Sequence, residues 1–333
     1  TSVAVLAGSV DLHNASIASG GWLQLQSTQG DIALTATQVS AAGNASVQSA
    51  GALVLKAKQH EAHVDRGNGN RKDETLYETS SIQAGGSLTL ASQGDLNVQG
   101  GQLSAGQDLT LASAGQLQIE SPQNHTRTQI GSDVRQSLQT ERTRLSAGGN
   151  ATIYGQQAVE LTATDVNAGG KASVISQGAV VLGANTDTEQ HNWTTSSTSR
   201  SLGGLKKKTT TTEHETLDKT AEVTRIAGDQ VQVLGQDVAS QGAQLQGQSL
   251  VQLEGANQTQ LYAVNEVHST RADSRSSSSF AGFTYSKSSS SDSNFQSEAL
   301  GSELTSQEAV RVGVGAVTDV RGAILSAPQV GFY

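Results

Sequence analysis

The sequence predicts an all-β fold, a right-handed parallel β-helix with lateral β-hairpin excursions. Three observations point there. A glycine-anchored frame returns at a fixed spacing, apolar residues alternate with polar ones over short runs, and most of the charged and aromatic side chains sit in a few stretches that interrupt the frame.

The frame is clearest in Ala84-Gly85-Gly86-Ser87-Leu88-Thr89-Leu90 and Ala105-Gly106-Gln107-Asp108-Leu109-Thr110-Leu111, which are 21 residues apart. It returns at Ala147-Gly148-Gly149-Asn150-Ala151-Thr152-Ile153 and at Ala168-Gly169-Gly170-Lys171-Ala172-Ser173-Val174, again offset by 21. Within each unit two short alternating runs flank a glycine-containing turn: Leu88/Leu90 with Leu96/Val98, Leu109/Leu111 with Leu117/Ile119, Ala151/Ile153 with Val159/Leu161. Alternation of period two over such lengths marks strands, and no helical period runs for a useful distance. Stacking each unit on the next places every inward aliphatic about 4.8 Å above its equivalent, which makes a continuous core. The right hand follows from the rule for parallel crossovers. Corner glycines are expected to supply positive φ.

Composition agrees. Of 333 residues 35% are hydrophobic and 3% aromatic, against roughly 45–50% apolar in an ordinary soluble domain, with 36 glycines and two prolines. Such numbers suit either disorder or a narrow solenoid, and the spacing decides for the solenoid. The net charge of −9 argues against nucleic acid as a partner, which needs a clustered basic surface. No apolar run approaches the roughly 18 residues of a transmembrane helix, and no signal peptide is recognisable. The absent initiator methionine suggests a segment of something longer. Zero cysteines remove disulfide and thiol chemistry and suit passage through a membrane in an unfolded state.

Anchor glycines at Gly20, Gly43, Gly85, Gly106, Gly148, Gly169, Gly228 and Gly247 are separated by alternately short and long gaps. The unit is therefore two rungs and an excursion, with excursions at approximately 58–80, 121–143, 186–224 and 265–303 of a single segment covering residues 1–333. They hold most of the charged residues, six of the seven histidines, and Trp193, Phe280, Phe283 and Tyr285. The two long ones predict hairpins. His191 to Ser201 and Lys206 to Thr216 flank Gly203-Gly204, and Asp273–Ser279 and Thr284–Ser291 flank Phe280-Ala281-Gly282-Phe283. Disordered Ser/Thr loops are the alternative.

The glycine-anchored runs resemble the hemagglutinin repeats of filamentous-hemagglutinin-like exoproteins. Two rungs plus a Ser/Thr-rich excursion, with Ser276-Ser277-Ser278-Ser279-Phe280 and Ser288-Ser289-Ser290-Ser291, look most like the second hemagglutinin-repeat region of contact-dependent growth-inhibition proteins. The resemblance covers essentially the whole chain. It implies export by two-partner secretion through an outer-membrane transporter and a filament on a Gram-negative cell surface. In the growth-inhibition branch it implies association with the target cell's outer membrane during delivery of a C-terminal toxin. The secretion domain and the toxin of that family are not recognisable in this sequence.

Some parallel β-helices are polysaccharide lyases or hydrolases, which need clustered carboxylates on one exposed sheet. Asp31, Asp95, Asp108 and Asp165 are isolated at turn-like positions, where an acid usually bonds its own backbone. No catalytic residue, cofactor or metal is assigned. His60, Glu61, His63 and Asp65 form a local cluster that reads as solvated polar surface rather than a metal site, and the calcium-roll nonapeptide is missing. Exposed aromatics on a polar projection mark contact sites, so Trp193, Phe280, Phe283 and Tyr285, with the basic run Lys206-Lys207-Lys208, are the candidate partner contacts; the alternatives are aromatics folded back against the coil and lysines that are simply solvated beside a turn. The expected molecule is a coil of nine or ten rungs, about 45 Å long. It engages a target-cell surface or outer membrane; the alternatives are a passive spacer in an adhesin and a carbohydrate-active enzyme.

Overall fold

A computed structural model describes residues 1–313 and 317–332. Among them the one helical element is a single 3-10 turn at Leu202–Gly204, so no helix is long and apolar enough to cross a membrane. The rest is strand and turn, arranged as a parallel β-helix whose rungs have three faces.

On the first face Ala45–Ser49, Leu88–Ser92, Leu109–Ser113 and Ala151–Gly155 stack in parallel, so that Leu90 lies between Val47 and Leu111, and Leu111 between Leu90 and Ile153. The second face stacks Leu53–Lys56, Leu96–Gln99, Gln116–Glu120 and Ala158–Thr162, with Leu96 between Leu53 and Leu117. The third brings Val39, Ile82, Leu103 and Leu145 into one column. Every one of these inward side chains is buried in a single apolar core. Full burial of each contributes about 1.5–3 kcal/mol, which is why short strands that could not stand alone hold a register here.

The anchor glycines serve a purpose other than the expected one. Gly85, Gly106, Gly148 and Gly169 do not lie in the left-handed region; each is pressed against the rung before it. A Cβ on Gly106 would lie 2.2 Å from the carbonyl oxygen of Gly85, and Gly85 and Gly148 have the same relation to Ala42 and Gly106, at 2.2 and 2.3 Å. Positive φ occurs elsewhere, at Gly100 and Gly101 among others. Because the obstructing atom is backbone and cannot swing aside, Gly106→Ala is expected to cost about 1–3 kcal/mol. Gly8→Ala, where a Cβ meets nothing within 4 Å, should be close to neutral. Thermal melting of the two variants checks this; equal midpoints would mean that the rungs can spread at no cost.

The turn acids also need correction. Asp165 lies within a strand, not at a turn, and takes the Arg142 guanidinium; the other three do not close on their own backbone but bind the next rung. Asp31 Oδ1 accepts from the Ala52 N–H (2.7 Å), Asp95 from Gln116 (2.8 Å) and Asp108 from Asn150 (2.7 Å). Asn44 and Asn150 do the same for Ser87 and Lys171. Each side chain satisfies an amide that the turn would otherwise leave unpaired.

Four antiparallel hairpins leave the coil. Their arms are β1 (Lys58–Asp65) and β2 (Arg71–Glu78), β3 (Gln123–Ile130) and β4 (Asp133–Thr140), β5 (Ala179–Ser201) and β6 (Lys206–Val223), and β7 (Val264–Phe280) and β8 (Phe283–Leu300). The long arms exceed the expected ones: β5 and β6 pair from Ala184/Val223 to Ser201/Lys206. All four hairpins exit at the same corner, between the second and third faces; the first joins Leu53–Lys56 to Ser81–Ala84, and the second joins Gln116–Glu120 to Thr143–Ala147. They are not separate projections. β2 pairs with β3, β4 with β5 and β6 with β7, which makes one antiparallel sheet running β1 to β8 alongside the coil.

The spacing explains why they merge. Two strands are added for every two rungs, and strands in both sheets lie about 4.8 Å apart. The hairpin sheet therefore keeps step with the coil.

At the exit corner the residue that opens each third-face strand is often a buried hydroxyl: Thr37, Ser80, Thr143, Thr164, Thr224 and Ser302. These occupy carbonyls left by the bend, as in Thr224 Oγ1 to Gly183 O (2.8 Å) and Thr143 Oγ1 to Glu120 O (2.7 Å). Unpaired, each would cost about 1–3 kcal/mol.

Candidate contact surface

The third and fourth hairpins outreach the first two and form a projecting blade. β4 pairs with β5 only over Thr188 to Asn192, so the outer part of β5 stands clear of the second hairpin. Register brings the two tips together: Lys206 lies opposite Phe280, and the Ala281 N–H donates to Leu205 O at 2.8 Å.

Phe280, Phe283 and Tyr285 are 48%, 82% and 57% exposed at this tip, and Leu202 and Leu205, flanking the glycine turn, are exposed beside them. Lys206, Lys207 and Lys208 are exposed as well. Residues 194–212 and 274–291 carry Arg200, these three lysines, Arg275 and Lys287, and no carboxylate. A chain of net charge −9 thus ends its longest projection in a cationic, apolar tip. An apolar patch rimmed by charge in water is the ordinary mark of a contact surface.

Trp193 is not part of that tip. It lies opposite His214, eight residues before the end of β5 and so about 27 Å down the strand. Its ring is half-buried and stacked between His191 and His214, with centroids at 4.3 and 4.7 Å. His191 Nε2 lies 3.0 Å from Asp133 Oδ1 and His214 Nε2 3.0 Å from the Thr195 hydroxyl. The stack ties the second hairpin to the third and leaves neither ring face of Trp193 free.

Three further histidines of the hairpins pair singly with carboxylates, His60 with Glu78 (2.9 Å), His268 with Asp218 (2.9 Å) and His63 with Asp73. His60 and His63 stand on opposite faces of β1 by strand alternation, so the local cluster does not converge. Among the described residues no three metal-ligating side chains come together. Asp73 is held below the usual carboxylate range, first by its hydrogen bond with His63 and then, against burial, by the charges of His63, Arg71 and Arg127. Asp273 is lowered by the Ser291 hydroxyl and, against burial, by Arg271. A general acid needs a shift in the other direction.

A hemagglutinin-repeat model matches residues 10–64, 56–136 and 129–205, well over half of the sequence. The chain belongs to the hemagglutinin-repeat family. The matches follow the architecture, since 56–136 runs from the first hairpin into the second and 129–205 from the second to the tip of the third. One hemagglutinin repeat is therefore two rungs and a hairpin, and the chain is a filamentous-hemagglutinin-like exoprotein segment. No curated protein and no solved structure matches it.

The aromatic and lysine positions at the tip were legible as candidates in the sequence. Leu202 and Leu205 were missed, although their place on either side of Gly203-Gly204 was a usable signal. The stacking of Trp193 on His214 had none, because that partner lies across the hairpin, 21 residues away.

Proposed function

We propose that this chain is a rigid filament segment of a large secreted exoprotein that engages a target cell's surface or outer membrane during contact-dependent toxin delivery. Its contact surface is the blade tip of Lys206, Lys207, Lys208, Phe280, Phe283 and Tyr285. Export runs by two-partner secretion through an outer-membrane transporter, onto the surface of a Gram-negative cell. The observation that carries the reading is the pairing of β6 with β7, which gathers the exposed aromatics and the cations on the part of the molecule farthest from the coil. A rigid coil holds that tip away from its own surface, and its charge suits the phosphates of a bacterial envelope.

Binding of the labelled chain to Gram-negative cells and to animal cells tests this. A variant with Lys206, Lys207 and Lys208 changed to Ser should bind bacteria roughly 100-fold more weakly, since each cation near an anionic surface contributes about 1 kcal/mol. Adding Phe283→Ser and Tyr285→Ser should remove the rest, with melting unchanged because all five side chains are exposed. Undiminished binding by the variants would move the contact off the tip. No binding of the parent to either cell type would favour a passive spacer of an adhesin.

A further inference from the structure

We infer that one face of the blade is a site for a disaccharide bearing a phosphate at each end, with Arg275 on one phosphate and Lys207 on the other. The inference deepens the contact reading given above and rests on it, naming the chemistry that the cationic tip recognises and the face that recognises it.

Strand alternation sorts the outer blade into two unlike faces. Arg200 on β5, Lys207 on β6, Arg275 on β7 and Lys287 on β8 share one of them, since Arg200 lies opposite Lys207, Thr211 opposite Arg275 and Ser277 opposite Lys287. The basic run is therefore split, with Lys207 on this face and Lys206 and Lys208 on the other. The other face is mostly hydroxyl, and its rows bond to each other, as Thr212 does with Ser274 (2.8 Å) and Ser276 with Ser288 (2.7 Å).

A groove of about 650 Å³ runs over the cationic face, lined by Thr209, Thr211, Ser277, Arg275 and Lys287, with Glu213 at its inner end. Asp273, opposite Glu213, is already taken by Arg271 (2.8 Å). Like charges directly opposite one another, as Arg200 and Lys207 are, destabilise a strand pair, and an anion between them removes the conflict. Arg275 is flanked on both sides by hydroxyls, Thr211 and Ser289. Lys207 and Arg275 each have a strand on either side, so they look out from the sheet whatever continues beyond β8.

Spacing names the ligand. With strands about 4.8 Å apart and alternate residues about 6.8 Å apart, the Cα atoms of Lys207 and Arg275 are separated by roughly 14 Å, with Thr209 and Ser277 between them. Two hexose rings with a phosphate on either end fit that span. The planar fork of Arg275 takes two oxygens of one phosphate, and Lys207 with Arg200 neutralises the other. Thr209 and Ser277 meet the sugar hydroxyls, and the charge of Glu213 keeps an anion from sliding inward. In an outer-membrane glycolipid such a headgroup sits above acyl chains, which the exposed Phe280 and Phe283 at the tip are placed to meet.

Phosphatidylcholine vesicles carrying diphosphoryl lipid A, monophosphoryl lipid A or phosphatidylglycerol, matched for total charge, test this. The chain should bind the diphosphoryl vesicles at least about tenfold more tightly than either other kind. The deacylated bisphosphorylated disaccharide should compete for them. Arg275→Gln, at an exposed position, should lower diphosphoryl binding to the monophosphoryl level with melting unchanged. Lys206→Ser with Lys208→Ser, on the other face, should weaken binding to every vesicle alike and keep the ratio. Equal binding to diphosphoryl and monophosphoryl vesicles would overturn the inference, as would a preference that survives Arg275→Gln together with Lys207→Gln. A disaccharide that fails to compete would assign the preference to the lipid surface and overturn it too. A chain that binds Gram-negative cells without this preference keeps the contact reading and loses only the site; a preference in a chain that binds no cell keeps the site and loses the contact reading.

Discussion

Leu111→Asp is expected to abolish the cooperative melting of the coil at neutral pH. Leu111 is fully buried between Leu90 on one rung and Ile153 on the next. At a rung spacing of about 4.8 Å neither neighbour can withdraw to admit water. The substitution removes a buried leucine, which alone costs about 2–5 kcal/mol. It also places a carboxylate where no donor is available, adding several kcal/mol more unless the group takes up a proton. The sum is comparable to the whole stability of a typical domain, about 5–15 kcal/mol. Leu111→Val, which keeps the column apolar, should cost less than about 1.5 kcal/mol. Leu90→Asp should behave as Leu111→Asp does. In a stack where each rung rests on its neighbours, the lesion should also expose a protease-sensitive point in mid-chain. Circular dichroism melting and limited proteolysis read both effects. A charged variant that melts like the parent would mean that Leu111 does not face the core.

The coil was legible because its signal is local and apolar. Leu88, Leu90, Leu96 and Val98 alternate within a few residues, and alternation is all that is needed to say which side faces inward. The corner glycines were legible as a frame but not in their purpose, since a carbonyl of Ala42 pressing on Gly85 comes from 43 residues away. Two features had no local signal. The hairpin arms carry Ser and Thr on both faces, so no apolar stripe sets which arm pairs with which; their merger depends on the shared exit corner and the match of pitch, both properties of the assembled coil. The buried hydroxyls Thr164 and Thr224 look like surface residues until the carbonyls at the bend are counted. The candidate tip lies between these cases. Its residues stand out by type, but only the β6–β7 register joins the lysines of one excursion to the aromatics of the next.

Arg142→Ala is expected to loosen the joint between coil and hairpin sheet, at a cost of about 3–5 kcal/mol. Arg142 follows the second hairpin, Asp165 lies on a third-face strand of the coil, and Glu222 stands at the root of the third hairpin. The guanidinium grips Asp165 through Nε (2.9 Å) and Nη2 (2.6 Å), reaches Glu222 through Nη1 (2.6 Å), and donates to Val223 O (2.7 Å). Its side chain is 10% exposed, and those of Asp165 and Glu222 are 17% and 22%. Burial alone would make the guanidinium easier to deprotonate; Asp165 and Glu222 outweigh it and hold its pKa above the ordinary value. Removing the cation leaves two carboxylates facing each other with little water. Arg142→Lys keeps the charge but cannot make the fork, so it should recover only part of the loss. Arg142→Met together with Asp165→Asn and Glu222→Gln should recover more than Lys does, because no buried charge is left unpaired; Arg225, 3.9 Å from Asp165, is about half exposed and stays solvated. Hydrogen exchange locates the effect. In Arg142→Ala, amides at the roots of β4 and β6 should open before those of the Leu90 and Leu111 rungs. An Arg142→Ala chain that melts and exchanges like the parent would show that the hairpin roots are held by the exit-corner hydroxyls and backbone pairing alone.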